Sequence, residues 1–443
     1  MRYLLFIILL FISYISFSQE LKKFPSNYPV MPVEESDFED VIIDKMGKLK
    51  NAANIIINGI GYESENKKFY VGNLGFWTTV PVYNFVDGFW LGQAFQTRYK
   101  FNDKYKLSFY PLVYYTTARK KIIWDTKLVF DYKTLVDGKL TFDAGDISSD
   151  YDAGEHLGRL ENSLYSLVLK RNYMKLFRKR FISLENKFYP LRGLELKSGI
   201  SLEWRSNEVN HTEFSIFDDN KSNYSNIPLN SGFKEMPHNT ALITNIGFEY
   251  IYCRNEYCST NNNNKPYTNI PIIGFDFTAG IPVGNINRSH FTQIELNIHQ
   301  RIKTNKFSDI HYKITSGKFL SKHNLWFPDF KHFGAYLIPS LKTYTEDGYY
   351  LLGYYKADTD GNWLKGAVNY HSQKLMLTQM PFIRKMGFKE GLHARYLWTS
   401  AISHYTEWGY SIDYKELITI TGFISFEKAK YSNIGISVSF PWL

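Results

Sequence analysis

The stretch GLELKSGISLEWRS, residues 193–206, alternates apolar with polar side chains and never loses the alternation. One row of side chains consists of Leu194, Leu196, Ser198, Ile200, Leu202 and Trp204. The other row consists of Glu195, Lys197, Gly199, Ser201, Glu203 and Arg205. Because successive side chains of a β-strand point to opposite faces, this period of two predicts a strand with one apolar and one charged face. We expect lipid against the apolar row and a polar lumen against the charged row.

The same period of two dominates the chain from residue 67 onward. The alternating segments are separated by turn clusters such as FNDKYK and LVDGK. Candidate strands cover residues 70–80, 88–102, 104–117, 122–133, 138–145, 180–189, 193–206, 210–218, 239–252, 271–282, 290–303, 309–319, 336–345, 364–373, 390–402, 407–413, 416–427 and 432–443. Some of these segments are short, so the expected number of strands is about 14, within a range of about 12–16.

Aromatic residues make up 17% of the chain, with 34 Tyr and 34 Phe, and they crowd the ends of the candidate strands. Interfacial girdles of transmembrane barrels have this distribution. A soluble β-sandwich also alternates, but its strands are usually about 5–6 residues long. The predicted fold is therefore all-β: a transmembrane antiparallel up-and-down β-barrel with a short N-terminal helical segment.

The N-terminus predicts export. Residues 1–18 join Met1-Arg2 to the apolar run YLLFIILLFISYISF and end at a small-x-small site before Gln19, the pattern of a secretory signal peptide. Residues 19–66 form a periplasmic or plug segment with a helical spacing near Val41 and Met46, and residues 67–443 form the barrel. In a Gram-negative cell this combination predicts the outer membrane, since lipid admits only helices or closed sheets.

Two segments interrupt the alternation. Residues 160–176, LENSLYSLVLKRNYMKL, predict a helix or helical loop between strands. Residues 374–388 are expected to fold inward or to lie at the periplasmic rim.

The net charge and the two cysteines limit which partners and covalent bonds are expected. The net charge is +9, and its densest run, Lys170 to Arg180, could meet phosphates of lipid headgroups or lipopolysaccharide, although a solvated or lumen-facing patch is the commoner explanation. The expected partners are the lipid bilayer and the barrel-assembly machinery during insertion, for a monomer that binds no nucleic acid. Cys253 and Cys258 are the two cysteines, and an exported pair at this spacing can close a small disulfide loop.

Two blocks of sequence resemble a known family. The block GFWTTVPVYNFVDGFWLGQAFQTRYKF carries Asn84, Asp87, Gly88, Leu91 and Gly92, and the later block NYHSQKLMLTQMPFIRKMGFKEGLHARYLW carries Asn369, His371, Pro381, Phe382, Arg384, Lys385 and Glu390. The chain thereby resembles a family of Gram-negative outer-membrane proteins of unknown function over most of residues 55–443. Many members carry an N-terminal carboxypeptidase-like regulatory domain, for which the residues between Gln19 and Phe69 are too few. The resemblance implies an outer-membrane barrel and no catalytic residue.

Some residue patterns of the chain could indicate catalytic or metal sites, but each also has an ordinary structural explanation. The histidines His371, His393 and His404 occur among strands with Ser372, Ser400 and Asp413, which would permit a Ser/His/Asp arrangement, but polar lumen-facing histidines are the commoner case. The acidic clusters around Asp143–Glu155 and at Asp358, Asp360 and Gly361 have part of a calcium-loop pattern, yet Asp and Gly also dominate turns. No catalytic, metal or cofactor residue is assigned.

Three classes of function remain. The first is an integral outer-membrane barrel for solute passage or for support of envelope assembly. The second is a barrel-borne hydrolase that acts at the membrane surface. The third is an interaction protein that presents loops 219–238 and 253–270 to a partner.

Overall fold

The described part of the protein is an antiparallel sheet with one α-helix. The computed structural model describes residues 61–439 except 65–67, 74–81, 135, 153–156, 218–224, 229–235, 252–267, 269, 285–286, 337–346, 381, 384–385 and 416. The strands of this part of the chain are β1 (Gly61–Glu63), β2 (Phe69–Asn73), β3 (Tyr83–Asn84), β4 (Gly88–Lys100), β5 (Tyr105–Thr116), β6 (Lys121–Lys133), β7 (Asp137–Asp150), β8 (Leu176–Leu191), β9 (Leu194–Asn207), β10 (Asn239–Tyr250), β11 (Ile272–Ile281), β12 (His290–Asn305), β13 (Ser308–Asn324), β14 (Asn362–Ser372), β15 (Phe388–Thr399), β16 (Tyr405–Tyr414), β17 (Ile418–Glu427) and β18 (Lys430–Ser439). The helix α1 spans Arg159–Leu169, and short 3-10 turns lie at Phe327–Asp329 and Leu377–Gln379.

The strands follow one another up and down. From β4 to β18 each strand pairs antiparallel with the next strand of the chain, and β2 pairs antiparallel with β4. The three-residue β1 pairs with the other edge of β2. Within the described residues β18 pairs with β17 alone, so strand pairing does not close the sheet there.

Each long strand has two unlike faces, as the alternation predicted. In β9, Ile200 and Trp204 are exposed, whereas Glu203 and Arg205 of the other row are buried. The exposed apolar row continues across the sheet through Ile246, Leu296 and Ile314. The rows that contain Ile200 and Arg205 define the outer and inner faces of the sheet.

The sheet curves around a segment of its own chain, described at residues 325–336 and 347–361, which we call the inner segment. Its Phe327 packs in a cluster with Phe177 of β8, and its Tyr350 ring stacks on Phe423 of β17 with centroids 4.4 Å apart. Strands distant in the sheet thus contact one segment, so the inner face is concave.

The two ends of the sheet differ. Tight connections at 101–104, 192–193 and 306–307 lie at one end, the turn end, together with residues 373–387. The opposite end, the loop end, carries the connection that contains α1 and the inner segment.

The sequence located most elements correctly, with several differences. Helix α1 confirms the helix expected within 160–176, but residues 210–217 are irregular, so the strand predicted at 210–218 is wrong. The count of 14 strands is not confirmed, because eighteen strands are present in the described part, including the short β1 and β3. The signal peptide, the N-terminal helix and most of the strand predicted at 336–345 lie outside the described residues.

We predict that Gly92→Ala destabilises the sheet by about 1–3 kcal/mol, the usual cost of overpacking. A Cβ at Gly92 would lie 2.0 Å from the Val113 carbonyl oxygen and 2.6 Å from the Tyr114 Cα, so backbone would have to move. Urea unfolding in detergent measures the change. The matched control is Gly422→Ala in β17, where a Cβ meets no atom within 4 Å. Equal effects of the two substitutions would contradict the prediction.

Candidate functional site

The candidate site is the concave interior, where charged side chains of the sheet meet the inner segment. The Asp347 carboxylate accepts hydrogen bonds from Lys313 Nζ of β13 at 2.8 Å and from Lys365 Nζ of β14 at 3.3 Å. Burial alone would raise the pKa of Asp347, but Lys365 and Lys313 outweigh it and hold the pKa below its usual range. The carboxylate therefore stays charged and bridges two strands.

A second charged group fixes the start of the inner segment. Arg205 of β9 donates from Nε to Glu203 at 2.6 Å and from Nη1 to Asp329 at 2.5 Å. The other Asp329 oxygen accepts from the Ser289 hydroxyl at 2.7 Å and from the Trp326 backbone N–H at 3.1 Å. Because every charge here has a partner of the opposite sign, burial of the group is tolerated.

The inner segment is also bonded through its backbone. Glu407 of β16 accepts from the N–H groups of Tyr350 at 2.8 Å and Leu351 at 2.7 Å, and from the Tyr405 hydroxyl at 2.7 Å. Its side chains add further ion pairs, Lys331 with Glu295 and Lys356 with Glu427.

The buried His332 of the inner segment is held in its charged form. Its Nδ1 lies 2.6 Å from the Asp358 carboxylate and its Nε2 lies 3.0 Å from the Phe327 carbonyl oxygen, so both ring nitrogens face acceptors. Only the protonated imidazole donates from both nitrogens. Burial lowers the pKa of His332, but Asp358 outweighs it and the pKa is raised.

Apolar packing also holds the inner segment against the sheet. A cluster at the loop end joins Phe333, Tyr349 and Leu352 of the inner segment to Trp363 and Leu397 of the sheet. The described part of the inner segment therefore packs against the loop end of the concave face as in a protein core.

A polar cavity remains on the turn-end side of Asp347. Its volume is about 430 Å³, and its lining includes Lys197, Glu249, His299 and Lys331. Lys197 pairs with Asp276 at 2.8 Å and Lys331 pairs with Glu295, so carboxylates of the sheet neutralise these two cations of the lining.

The first group of family-motif residues forms a turn that introduces β4. Asn84 Oδ1 accepts from the backbone N–H groups of Val86 at 3.0 Å and Asp87 at 2.7 Å. Asp87 accepts from Trp90 Nε1 and from the Ser148 hydroxyl, and Gly88 has a φ of 74°, which favours glycine. Gly92 lies where β5 approaches closely. These residues serve the local fold at the loop end.

The second group is divided between the two faces. Asn369 Oδ1 accepts from Arg395 Nη2 at 2.7 Å and lies 2.9 Å from His393 Nδ1 on the inner face. His371 Nδ1 lies 3.9 Å from Asp309, and Glu390 lies in the outer row of β15. Pro381, Cys253 and Cys258 lie outside the described residues.

The structure brings together a histidine and a serine that the sequence did not single out. His393 Nε2 lies 2.8 Å from the hydroxyl of Ser411, which with Asn369 forms a Ser–His–Asn chain. A Cβ at Gly391 would lie 2.5 Å from that hydroxyl and 2.8 Å from His393 Nε2, so this backbone covers the serine. The chain has the connectivity of a hydrolytic triad, but all three side chains are buried.

The other catalytic candidates have separate structural partners. Ser372 bonds to Ser308, Ser400 to Thr359, Asp413 to Thr419 and His404 to Tyr396. They do not form a Ser/His/Asp arrangement.

The acidic clusters are held as parts of the fold. Asp146 pairs with Arg178, Asp150 accepts from Tyr355, Asp358 pairs with His332 and Asp360 pairs with Lys322. Within the described ranges no group of three metal-ligating side chains is present.

The basic run around residues 170–180 is used internally. Lys175 Nζ donates to the carbonyl oxygens of Asn172 and Ser225, and burial lowers its pKa to about 8. Arg178 pairs with Asp146 and Lys179 with Glu203. These three side chains have partners within the fold, as the alternative of a lumen-facing patch predicted.

Of the residues that hold the inner segment, the sequence placed Arg205 in a charged inward row, but it did not single out Lys313, Lys365 or Glu407. Lys313 and Glu407 lie in predicted strands. Their positions in the alternation place both side chains on the inner face, and this is the signal that could have identified them. Their partners come from a segment partly predicted as a strand, which concealed them.

One family model matches most of the chain. The family model described as "Family of unknown function (DUF5686) C-terminal domain" matches residues 53–412. No curated protein matches the sequence. Across the described residues no helix is long and apolar enough to cross a membrane.

Solved structures similar to this chain include BamA from Haemophilus ducreyi lacking POTRA domains 1-3, with 11% identity, 80% of this chain and 66% of that chain covered, and a TM-score of 0.43. CdiB from Acinetobacter baumannii has 8% identity, 85% and 57% coverage, and a TM-score of 0.39. A mutant of Rh. blastica porin has 8% identity, 78% and 89% coverage, and a TM-score of 0.33. The chain thus spans just under two thirds of that BamA chain.

We predict that His332→Gln lowers stability by about 1–3 kcal/mol at low pH, the range for hydrogen bonds to charged groups. The folded pKa of His332 is raised, so its stabilisation is complete below the unfolded value of about 6.5 and is lost as pH rises through the folded pKa. Urea unfolding of both proteins between about pH 5.5 and pH 9 measures the difference. A difference that does not vary with pH would contradict this prediction.

Proposed function

This chain belongs to the family of unknown function (DUF5686) C-terminal domain, and from that premise we propose an integral outer-membrane β-barrel closed by its own inner segment, acting in support of envelope assembly. The observation that carries the proposal is the packing of residues 325–361 against the inner face by both ion pairs and an apolar cluster. An open solute pore would need a continuous aqueous path through the loop end.

The membrane location is supported by the two faces of the strands. The outer row exposes large apolar side chains such as Ile246, Leu296 and Ile314, which water would not favour in so long a sheet. The inner row carries the charges and has partners for them. This is the distribution of a barrel with lipid outside and a filled polar interior.

Several expectations complete the proposal. The proposal includes export by a cleaved signal peptide, insertion by the barrel-assembly machinery, a monomeric state and contact with lipopolysaccharide. It also includes the bond between Cys253 and Cys258. No nucleic acid or cofactor is part of it.

A second candidate is gated solute passage. The polar cavity of about 430 Å³ beside Asp347 favours it, because displacement of the inner segment would extend that cavity along the lumen. The hydrolase alternative has less support, since Gly391 covers the Ser411 hydroxyl.

Single-channel recording in a planar bilayer separates these roles. We expect the wild-type chain to insert without steady conductance, because the inner segment closes the lumen. Asp347→Lys places a third ammonium beside Lys313 and Lys365, so like charges repel and brief conductance steps should appear.

The control for that measurement is Asp103→Lys, which makes the same charge change at an exposed turn beside Lys100 and should behave as wild type. Steady conductance of the wild-type chain would overturn the closed barrel and favour passage. Identical silence of both variants would show that Asp347 does not hold the closure.

A charge on the outer row tests the lipid contact. We expect Ile200→Arg to destabilise the inserted chain by about 2–4 kcal/mol, the cost of an Arg at the bilayer midplane. The adjacent Ser201→Arg faces inward beside Glu203 and should cost less. Refolding into lipid vesicles over a urea series measures both, and equal tolerance of the two changes would argue against a lipid-facing row.

A further inference from the structure

The described residues of 373–387, which we call the rim segment, cover the outer face of the sheet at the turn end. Ser372 and Glu390 are cross-strand partners of β14 and β15, and they lie in the same row as the exposed Leu392. Yet Ser372 and Glu390 are only 2% and 1% exposed. The segment between them therefore lies over the outer wall and does not enter the concave interior.

Glu390 attaches the rim segment to that wall. Its carboxylate accepts from the backbone N–H groups of Met376 and Leu377 at 3.0 Å each and of Thr378 at 2.8 Å. The hydroxyl of Tyr410, on the neighbouring strand, also donates to it. Charge-assisted bonds to several backbone amides hold the segment in one place.

The attached segment presents apolar side chains outward. Met376, Leu377, Met380, Phe382 and Met386 are all exposed, and Phe382 is 75% exposed. These side chains adjoin the outer apolar row that begins at Leu392, so the apolar surface of the wall continues onto the segment. Exposure of five large apolar side chains within eleven residues exceeds what isolated surface residues require.

Cations and aromatic rings border the same surface. The exposed Lys374 places Nζ 3.8 Å from the Phe307 ring centroid, and the exposed Lys415 places Nζ 5.3 Å from that of Tyr414. Lysines and tyrosine around an apolar surface suit the headgroup boundary, where apolar stems enter lipid and charged ends meet phosphates.

We infer that the rim segment is an anchor that inserts into the leaflet at the turn end and binds the boundary between acyl chains and anionic phospholipid headgroups. This inference rests on the proposed function, because it needs a sheet already surrounded by lipid. Its consequence is that the segment sets the depth of that end of the barrel in the bilayer.

Spin labels on single cysteines test the anchor in vesicles of phosphatidylcholine and phosphatidylglycerol. Phe382→Cys and Met380→Cys are made in a chain whose Cys253 and Cys258 are serine, and collision with oxygen and with a water-soluble nickel chelate is measured. We expect nickel collision at both sites to be several-fold lower than at Asp103→Cys, an exposed turn residue of the same end. Adding Glu390→Ala should raise nickel collision at residue 382.

A label at Leu296→Cys, in the outer row of β12, separates the two hypotheses. A label in lipid at residue 296 together with labels in water at 380 and 382 would overturn the anchor alone. A label in water at residue 296 would overturn the barrel and the anchor with it. Spin–spin broadening at residue 382 would show that a second copy of this chain, and not lipid, contacts the rim segment. That result would also overturn the anchor.

Discussion

Pairing of charge across the concave face is the interaction on which the rest of this structure depends. Inward-facing Lys313, Lys365 and Arg205 would be costly to bury alone, and the inner segment supplies Asp347 and Asp329 as their partners. Removal of the segment would leave charges of the sheet facing one another without these partners. The sheet and the segment are thus parts of one folded unit.

Ion pairs alone would make a weak closure, because a lumen admits water that screens them. The apolar cluster around Tyr349 and Trp363 and the stack of Tyr350 on Phe423 add packing that water does not screen. Glu407 adds backbone hydrogen bonds that depend on the segment's conformation. The two kinds of contact meet at the polar cavity, whose lining includes Phe333 and Trp363 of the apolar cluster as well as Asp347 and Lys365.

On the outer face, one charged side chain is likewise buried with hydrogen-bond partners. Glu390 is a carboxylate in an otherwise apolar row, and it is tolerated because backbone amides of the rim segment surround it. Its location at the end of β15 places it where a bilayer would give way to headgroups. A carboxylate in the middle of that row would have no such segment within reach.

The amino-acid sequence by itself determined the two-faced strands, their approximate limits and helix α1, because a period of two or of 3.6 residues is a local property of the chain. It did not determine the strand count, since two- and three-residue strands such as β3 and β1 are too short to show a period. Asn84, Asp87 and Glu390 could be singled out as motif positions, but their bonds could not.

Only the tertiary structure decided which loops fold inward and which lie on the wall. The partners Asp347 and Lys365 are 18 residues apart in the chain, while Arg205 and Asp329 are 124 apart, and no pattern of neighbouring residues encodes such distances. The Ser411–His393–Asn369 chain arose in the same way, from the register of three adjacent strands. Side-chain alternation fixes the face of a residue, whereas the curvature of the whole sheet fixes what that residue meets.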